Sequence, residues 1–160
     1  MKISILFVCL GNICRSPMAE FVMKDLLKKH HLHHAVEVAS AATSTYELGN
    51  PVHRGTRAKL HEHGISCAGK TARQLTRADY QEYDYIIGMD DGNMRDMRRM
   101  LGGDPEGKLF KLLNLCGESA DVADPWYTGD FEATWQDVNR GCEALLKRLE
   151  KEISEGKKHG

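Results

Sequence analysis

An almost unbroken apolar run at residues 3–8 constrains the fold of this chain most strongly. Its sequence, Ile-Ser-Ile-Leu-Phe-Val, is typical of a strand that is buried on both faces. Such a strand needs a layer of helices on each side of its sheet. Further strand-like segments alternate with helical ones along the chain, which predicts a parallel sheet covered by helices.

The remaining strands and helices follow from apolar spacing and from turn residues. We predict strands at 3–8, 36–41, 85–88 and 108–112, and helices at 16–29, 52–63, 90–101 and 131–152, with a short helix beginning near residue 76. Ser16 is expected to cap the first helix, and Pro17 fits its first turn. The predicted fold is a three-layer α/β fold, a flavodoxin-like, doubly wound, four-stranded parallel sheet with helices on both faces. One domain is expected at 1–153, followed by a polar tail at 154–160.

The segment after the first strand, residues 9–15, runs directly into the first helix and reads Cys-Leu-Gly-Asn-Ile-Cys-Arg. The backbone N–H groups of such a loop and the N-terminus of the helix attract an anion. Arg15 offers a planar pair of donors for two phosphate oxygens, and Cys9 stands where a nucleophile would meet the phosphorus. The carboxyl end of a parallel strand is also where ligands bind in such sheets.

This arrangement predicts phosphoryl transfer to a cysteine. Cys9 would attack the phosphorus in line, and water would hydrolyse the phosphocysteine. Arg15 would hold the equatorial oxygens, where the charge of the transition state spreads. Ser16 could donate a hydrogen bond to the Cys9 sulfur and make it a better leaving group. Gly11 and Asn12 tolerate the backbone angles of a tight loop.

Simpler interpretations of the loop stay open at this point. Cys9 could be a buried thiol at the end of a strand. Arg15 could be a surface charge, although a cation at the start of a helix opposes the helix dipole unless an anion lies there too. A nucleotide-binding P-loop is excluded because the Gly-Lys-Ser/Thr ending is absent.

The composition of the chain limits the classes of binding partner and the cellular compartments that are expected for it. The formal net charge is −1, so no global field attracts nucleic acid or a membrane. No apolar stretch approaches the roughly 20 residues of a membrane span, and the N-terminal run is too short for a signal peptide, which favours a cytoplasmic location. The five cysteines are odd in number and irregularly spaced, which argues against a disulfide framework, and no Cys-x-x-Cys pair appears, which argues against a structural zinc site.

The sequence Val-Cys-Leu-Gly-Asn-Ile-Cys-Arg-Ser-Pro at 8–17 resembles the signature of the low-molecular-weight protein tyrosine phosphatases. Segments 40–47, 72–74, 89–90 and 124–127 also resemble family segments, in the same order. The resemblance covers nearly the whole chain and implies hydrolysis of phosphotyrosine in proteins without a cofactor or metal. It also implies phosphotyrosine-containing proteins and a cognate tyrosine kinase as partners, and a monomer or weak dimer.

The resemblance assigns roles to further residues. Asp124, which precedes Pro125, matches the general acid that protonates the leaving phenolate and then deprotonates water; by itself, an Asp before Pro is a turn residue. Asp90 matches an acid near the arginine, and a helix N-cap is a compatible role. The other matches are expected to bind substrate or to support the loop: Leu10, Gly11, Asn12, Ile13, Cys14 and Ser16 in the loop, Ser40 behind it, and Tyr46, Trp126 and Tyr127 around the cleft. For Ser40 and the aromatic residues, ordinary turn and loop packing stays an alternative.

Cys14 and two departures from the family also bear on the site. Members of the family can form a disulfide between the counterparts of Cys9 and Cys14 on oxidation, which shields the nucleophile; a small core residue facing the helix is the simpler and compatible role of Cys14. This chain has Lys70 where many relatives carry a histidine that supports Asn12. It has Trp126 where the family has the first of two tyrosines, which bears on substrate preference.

Two other functions compete with hydrolysis. An arsenate reductase of the same fold needs further cysteines to relay a disulfide, and Cys67, Cys116 and Cys142 show no relay spacing. A phosphopeptide-binding module needs neither a nucleophile nor an acid.

A metal site at His30 and His34, which could share a helix face, lacks evident ligand partners.

Overall fold

The computed structural model describes residues 2–159, which form a parallel sheet of four strands. In chain order the strands are β1 (Ile3–Cys9), β2 (Val36–Ala42), β3 (Tyr85–Gly88) and β4 (Leu109–Lys111). They lie in the order β2-β1-β3-β4, and the neighbouring pairs are parallel. The predicted flavodoxin-like α/β fold is confirmed.

Helices cover both faces of the sheet. They are α1 (Arg15–Lys29), α2 (Arg54–Glu62), α3 (Asp79–Glu82), α4 (Asp91–Leu101), α5 (Pro125–Thr128) and α6 (Phe131–His159), and a 3₁₀ helix spans Leu112–Cys116. Successive side chains of β1 enter opposite cores, as a strand buried on both faces requires. Ile5 and Phe7 belong to the core beneath α1 and α6, whereas Leu6 and Val8 belong to the core beneath α4.

The carboxyl end of β1 is the point where the chain connections diverge. Helix α1 leads from β1 to its neighbour β2, and the chain then returns to β3 on the opposite side of β1. Cys9 is paired with Ala42 of β2, and Val8 is paired with Gly88 of β3. Doubly wound sheets bind ligands at such a switch point. The loop after β1 therefore lies where a ligand is expected.

Two glycines allow close contacts that bring α6 to this end of the molecule. A Cβ on Gly55 would lie 2.2 Å from Cζ of Phe131, and a Cβ on Gly141 would lie 2.3 Å from Cγ of Leu112. Any larger residue would push apart α2 and the start of α6, or α6 and the 3₁₀ helix after β4.

Two helix starts differ from the prediction. The predicted cap by Ser16 is wrong, because α1 begins at Arg15 and the Ser16 hydroxyl is engaged with Cys9 and Asn12 instead. Helix α2 begins at Arg54 rather than at residue 52, because the His53 side chain accepts a hydrogen bond from the backbone N–H of Gly55 and caps the helix.

Other elements differ in length or were not predicted. Helix α6 continues to His159 rather than ending at residue 152, because no proline interrupts the polar residues that follow. The short helix predicted to begin near residue 76 begins three residues later in the structure, where α3 starts at Asp79. The 3₁₀ helix and α5 are about one turn long, which is too short to show an apolar period in the sequence. Within residues 2–159, no helix combines the length and apolar character that a membrane crossing needs.

Candidate active site

The loop between β1 and α1 forms the floor of a cavity of about 330 Å³. Residues from three separate parts of the chain surround this cavity. Its lining residues are Cys9, Leu10, Gly11, Ile13, Cys14, Arg15, Tyr46, Glu47, Asp124, Trp126 and Tyr127. Asn12, Ser16, Ser40 and Asp90, which the sequence also indicated, lie behind this lining. Glu47 was not predicted to belong to the site, although it ends the segment 40–47 that resembles a family segment.

The Cys9 thiol ends β1 and is almost completely buried. The backbone N–H of Asn12 donates to its Sγ over 3.3 Å, and the Ser16 Oγ lies 3.0 Å from the same sulfur. Asn12 adopts a positive φ of 58°, which turns its N–H back toward the thiol. Both contacts would stabilise a negative charge on the sulfur.

Asn12 connects the loop to the residues behind it. Its side-chain Nδ2 donates to the Ser16 Oγ over 2.8 Å and to the Ser40 Oγ over 2.9 Å, and its Oδ1 accepts from the backbone N–H of Arg73 over 3.2 Å. Because Ser16 accepts from Asn12, the Ser16 hydroxyl proton is available for the Cys9 sulfur.

A buried carboxylate, Glu20 of α1, completes these contacts and was not predicted from the sequence. Its Oε1 accepts from the Ser40 Oγ over 2.6 Å, and its Oε2 accepts from Lys24 over 2.6 Å. Lys70 Nζ donates to the Ser40 carbonyl oxygen over 2.8 Å and lies 3.6 Å from Glu20 Oε1. Burial lowers the pKa of Lys70 against the attraction of Glu20. Lys70 therefore supports Asn12 indirectly, through Ser40.

The guanidinium of Arg15 lies almost fully buried between two carboxylates. Nη1 donates to Asp90 Oδ2 over 2.8 Å and to the Val122 carbonyl over 3.2 Å, and Nη2 lies 3.3 Å from Asp124 Oδ2. Burial opposes the charged form, but Cys9, Asp124 and Asp90 outweigh it and raise the pKa of Arg15. Asp90 also caps α4 by accepting from the Asn93 N–H over 2.6 Å, so it makes both of the contacts considered for it.

Asp124 lies at the edge of the cavity and is partly exposed. Its Oδ1 accepts from the backbone N–H of Trp126 over 3.1 Å and caps α5, while its Oδ2 faces Arg15. A carboxyl group here is within reach of solvent and of a group bound in the cavity, which suits a proton donor.

Three aromatic side chains stand exposed at the cavity mouth: Tyr46, Trp126 and Tyr127. The Trp126 ring meets the His53 ring edge-on at 6.1 Å between centroids, and His53 stacks on Phe131 at 5.5 Å. The His53 backbone N–H also donates to the Ile13 carbonyl over 2.8 Å. His53 thus joins the aromatic wall to the loop, a role for which the sequence carried no signal.

Cys14 lies in the same loop and its side chain is buried. Burial, together with the nearby Cys9, raises the pKa of Cys14 to about 12. Burial also raises the pKa of Cys67, Cys116 and Cys142. Within residues 2–159, the five cysteines are free thiols.

The histidine-rich segment does not form the helix face on which a metal interpretation depends. Helix α1 ends at Lys29, His30 is its C-cap, and His31 adopts a positive φ of 59°. Across the part of the chain that the structure describes, no group of three His, Cys, Asp or Glu residues is arranged to hold a metal ion.

Known proteins resemble this chain over most of its length. The family model for "Low molecular weight phosphotyrosine protein phosphatase" matches residues 4–155. Low molecular weight protein-tyrosine-phosphatase YfkJ of Bacillus subtilis is 45% identical over 94% of this chain and 97% of its own. Low molecular weight protein-tyrosine-phosphatase PtpA of Staphylococcus aureus is 38% identical over 95% of this chain and 97% of its own.

Solved structures agree with these matches. The crystal structure of YfkJ superimposes with a TM-score of 0.92 over 95% of this chain and 97% of its own. That of the low molecular weight protein tyrosine phosphatase SP-PTP from Streptococcus pyogenes is 43% identical, with a TM-score of 0.83 over 93% of each chain.

Proposed function

Because the chain belongs to the low molecular weight phosphotyrosine protein phosphatase family, we propose that its cavity hydrolyses phosphotyrosine in proteins through a phosphocysteine on Cys9. The observation that carries the residue assignment is that Cys9, Arg15 and Asp124 line one cavity. Nucleophile, phosphate clamp and proton donor are the three groups that this chemistry needs.

In the first step, the phosphate enters the loop and the Cys9 thiolate attacks the phosphorus. The S–P bond forms while the bond from phosphorus to the tyrosyl oxygen breaks. Protonated Asp124 transfers its proton to that oxygen, so the leaving group departs as neutral phenol. Arg15 stabilises the charge on the equatorial oxygens, and Asp90 with the Val122 carbonyl keeps its guanidinium in place.

In the second step, water hydrolyses the phosphocysteine. The Asp124 carboxylate accepts a proton from the attacking water, the new P–O bond forms, and the P–S bond breaks with its electron pair returning to Cys9. The Ser16 hydroxyl, 3.0 Å from the sulfur, stabilises this leaving thiolate. Inorganic phosphate is released and Asp124 is protonated again for the next cycle.

The shape of the cavity mouth supports an aromatic substrate. Leu10 and Ile13 line the cavity together with the exposed aromatic side chains of Tyr46, Trp126 and Tyr127. These side chains can contact both faces of a tyrosyl ring whose phosphate reaches Cys9. A phosphotyrosine-containing protein is therefore the proposed partner. A cognate tyrosine kinase, a cytoplasmic location and a monomeric or weakly dimeric state stay predictions.

The test is phosphate release from an aryl phosphate and a phosphotyrosine peptide, with EDTA present, by wild type, Cys9→Ser, Asp124→Ala and Cys67→Ser. We expect EDTA-resistant turnover that Cys9→Ser abolishes and that Asp124→Ala reduces about 10²- to 10³-fold in kcat/KM. Cys67→Ser removes a buried thiol outside the cavity and should retain activity. Mass spectrometry of acid-quenched Asp124→Ala should find the phosphoryl group on Cys9.

Other outcomes of this assay favour the competing functions. Absence of turnover in folded wild type, with tight binding of the phosphopeptide, would indicate a binding module. Arsenate-dependent consumption of thiols would indicate an arsenate reductase. Such a reductase needs reactive relay thiols, whereas burial raises the pKa of Cys67 and Cys116 and opposes their thiolate forms.

A further inference from the structure

Lys111, the last residue of β4, carries an ammonium group that is nearly enclosed, with 5% of its side chain exposed. Its Nζ has three acceptors: the Ser119 carbonyl at 2.7 Å, Asp121 Oδ1 at 2.9 Å and Asp91 Oδ1 at 3.0 Å. Burial opposes the charge, but Asp121 and Asp91 outweigh it and raise the pKa of Lys111. The side chain is therefore an ammonium at neutral pH.

The acceptors of Lys111 belong to the two segments that supply the carboxylates around Arg15. Asp91 directly follows Asp90 at the start of α4, and Ser119 and Asp121 lie in the segment 117–124 that ends at Asp124. The backbone N–H of Asp91 donates to Asp121 Oδ1 over 3.2 Å, which ties the segments together a second time. Lys111 thus crosslinks the two sides of the Arg15 site.

The residues between Asp121 and Asp124 transmit this restraint. The Val122 N–H donates to the Met89 carbonyl over 2.9 Å, and the Val122 carbonyl accepts from Arg15. The Ala123 N–H donates to Asp137 over 2.9 Å, and the Ala123 carbonyl accepts from Thr134 over 2.8 Å. Few backbone positions between Asp121 and Asp124 are then free to move.

We propose that Lys111 is a positioning residue for the general acid, which holds Asp124 at the distance from the leaving oxygen that proton transfer requires. The proposal rests on the proposed function, because it assigns Asp124 as the acid. Loss of the ammonium would leave Asp91 and Asp121 as facing carboxylates and the Ser119 carbonyl without this donor. The backbone at 119–121 would then shift and carry Asp124 out of alignment, whereas Cys9 lies outside that segment and Arg15 keeps its contact with Asp90.

The test measures kcat/KM for a series of aryl phosphates whose phenols differ in acidity. A poor leaving group depends on protonation by Asp124, whereas an acidic phenol leaves without it. For Lys111→Met we expect about a tenfold loss with phenyl phosphate and about a twofold loss or less with the most acidic phenol. Lys111→Arg keeps the charge and should restore most of the activity. Asp121→Asn perturbs the same contact more mildly and should give a smaller loss with the same leaving-group trend.

Two controls separate positioning from stability. Lys59 also bridges two carboxylates, those of Glu62 and Glu132, but it contacts no residue of 117–124. Lys59→Met should therefore lower kcat/KM equally for all the aryl phosphates or leave it unchanged. In an Asp124→Asn background, Lys111→Met should cause little further loss, because the two residues act through one step.

The possible failures are distinguishable. The positioning role is wrong if Lys111→Met lowers kcat/KM equally for every aryl phosphate. It is also wrong if Lys111→Met lowers kcat/KM as much in the Asp124→Asn background as it does in wild type. If Asp124→Asn itself leaves the dependence on the leaving group unchanged, the acid assignment under the proposed function is wrong.

Discussion

At the scale of single residues, Glu20 and the backbone N–H of Arg73 together set the direction of the hydrogen bonds behind the loop. A carboxylate can only accept, so Ser40 must donate to Glu20 and accept from Asn12. The second N–H of the Asn12 side chain goes to Ser16, which leaves the Ser16 proton for the Cys9 sulfur. The backbone N–H of Arg73 donates to Asn12 Oδ1 and so keeps the amide in the orientation in which both N–H groups of Nδ2 donate to the serines.

Lys70 and Lys24 offer a matched comparison of buried and exposed partners of Glu20. The Lys70 side chain is 13% exposed and that of Lys24 is 45% exposed. We expect Lys70→Met to lower the free energy of unfolding by about 1–3 kcal/mol, because it removes the donor to the Ser40 carbonyl and one counter-charge of Glu20. Lys24→Met should cost less than about 1 kcal/mol, because the Lys24 ammonium is half-exposed and Lys70 remains as a counter-charge of Glu20.

Urea unfolding of the two variants beside wild type measures this difference, and kcat/KM reports the effect on Cys9. If Lys70→Met and Lys24→Met lower the free energy of unfolding equally, the buried lysine has no special role.

At the scale of elements, β4 is three residues long and is held by side chains at both ends. Before the strand, Asp104 accepts from the Tyr80 hydroxyl over 2.8 Å and from the backbone N–H groups of Lys108 and Leu109 over 2.7 and 3.2 Å. After it, Lys111 contacts the segment that leads to Asp124. A strand this short depends on such anchors, because its ladder supplies few hydrogen bonds.

Asp104 gives the stability of the protein a dependence on acid pH. Burial opposes its charge, but the hydrogen bonds from Tyr80, Lys108 and Leu109 outweigh it and hold the pKa of Asp104 below its ordinary value. A lowered folded-state pKa adds stability that is complete above the unfolded-state pKa, about 3.9, and that is lost as the pH falls through the folded-state pKa.

We expect Asp104→Asn to lower the free energy of unfolding at pH 7 by about 1 kcal/mol, and this difference from wild type to shrink below about pH 4. Urea unfolding between pH 7 and pH 2.5 measures it. Asp96→Asn, which removes a surface pair with Arg99, serves as the control and should cost little. A difference that is constant with pH would rule out this linkage.

At the scale of the whole molecule, folding gathers the charges of the site from distant parts of the chain. Arg15 meets Asp90 and the Val122 carbonyl, which are 75 and 107 residues away, and it faces Asp124. The net charge of the chain is −1, so the attraction for an anion is local to the loop and Arg15.

A phosphate ion that binds this loop should stabilise the whole fold by mass action. At a concentration 100 times its dissociation constant it adds about 2.7 kcal/mol, which for a chain of this size raises Tm by about 5–10 °C. Arg15→Lys keeps the charge but loses the planar pair of donors, so its shift should be smaller. Thermal unfolding in phosphate, compared with chloride of equal ionic strength, measures the rise in Tm of wild type and of Arg15→Lys. The same shift in both proteins would argue that phosphate binds elsewhere.

Much of the fold and part of the site could be predicted because their signals are local. The apolar run of β1, the loop that follows it and α1 are contiguous, and their residue types indicate a strand, an anion-binding loop and a helix. Cys9 and Arg15 stand in that loop and could be recognised together. The resemblance added Asp124 and Asp90, and the structure places both carboxylates at Arg15.

The sequence by itself thus determined the succession of strands and helices along the chain and the chemistry of the loop, because spacing and residue type act over a few positions. Only the tertiary structure decided which groups support that chemistry: Glu20 behind Ser40, His53 against Trp126, and Lys111 between the segments of Asp91 and Asp121. These contacts depend on strand order, register and helix packing, and the sequence records none of these distances. A buried lysine and an exposed one look alike until the chain has folded around them.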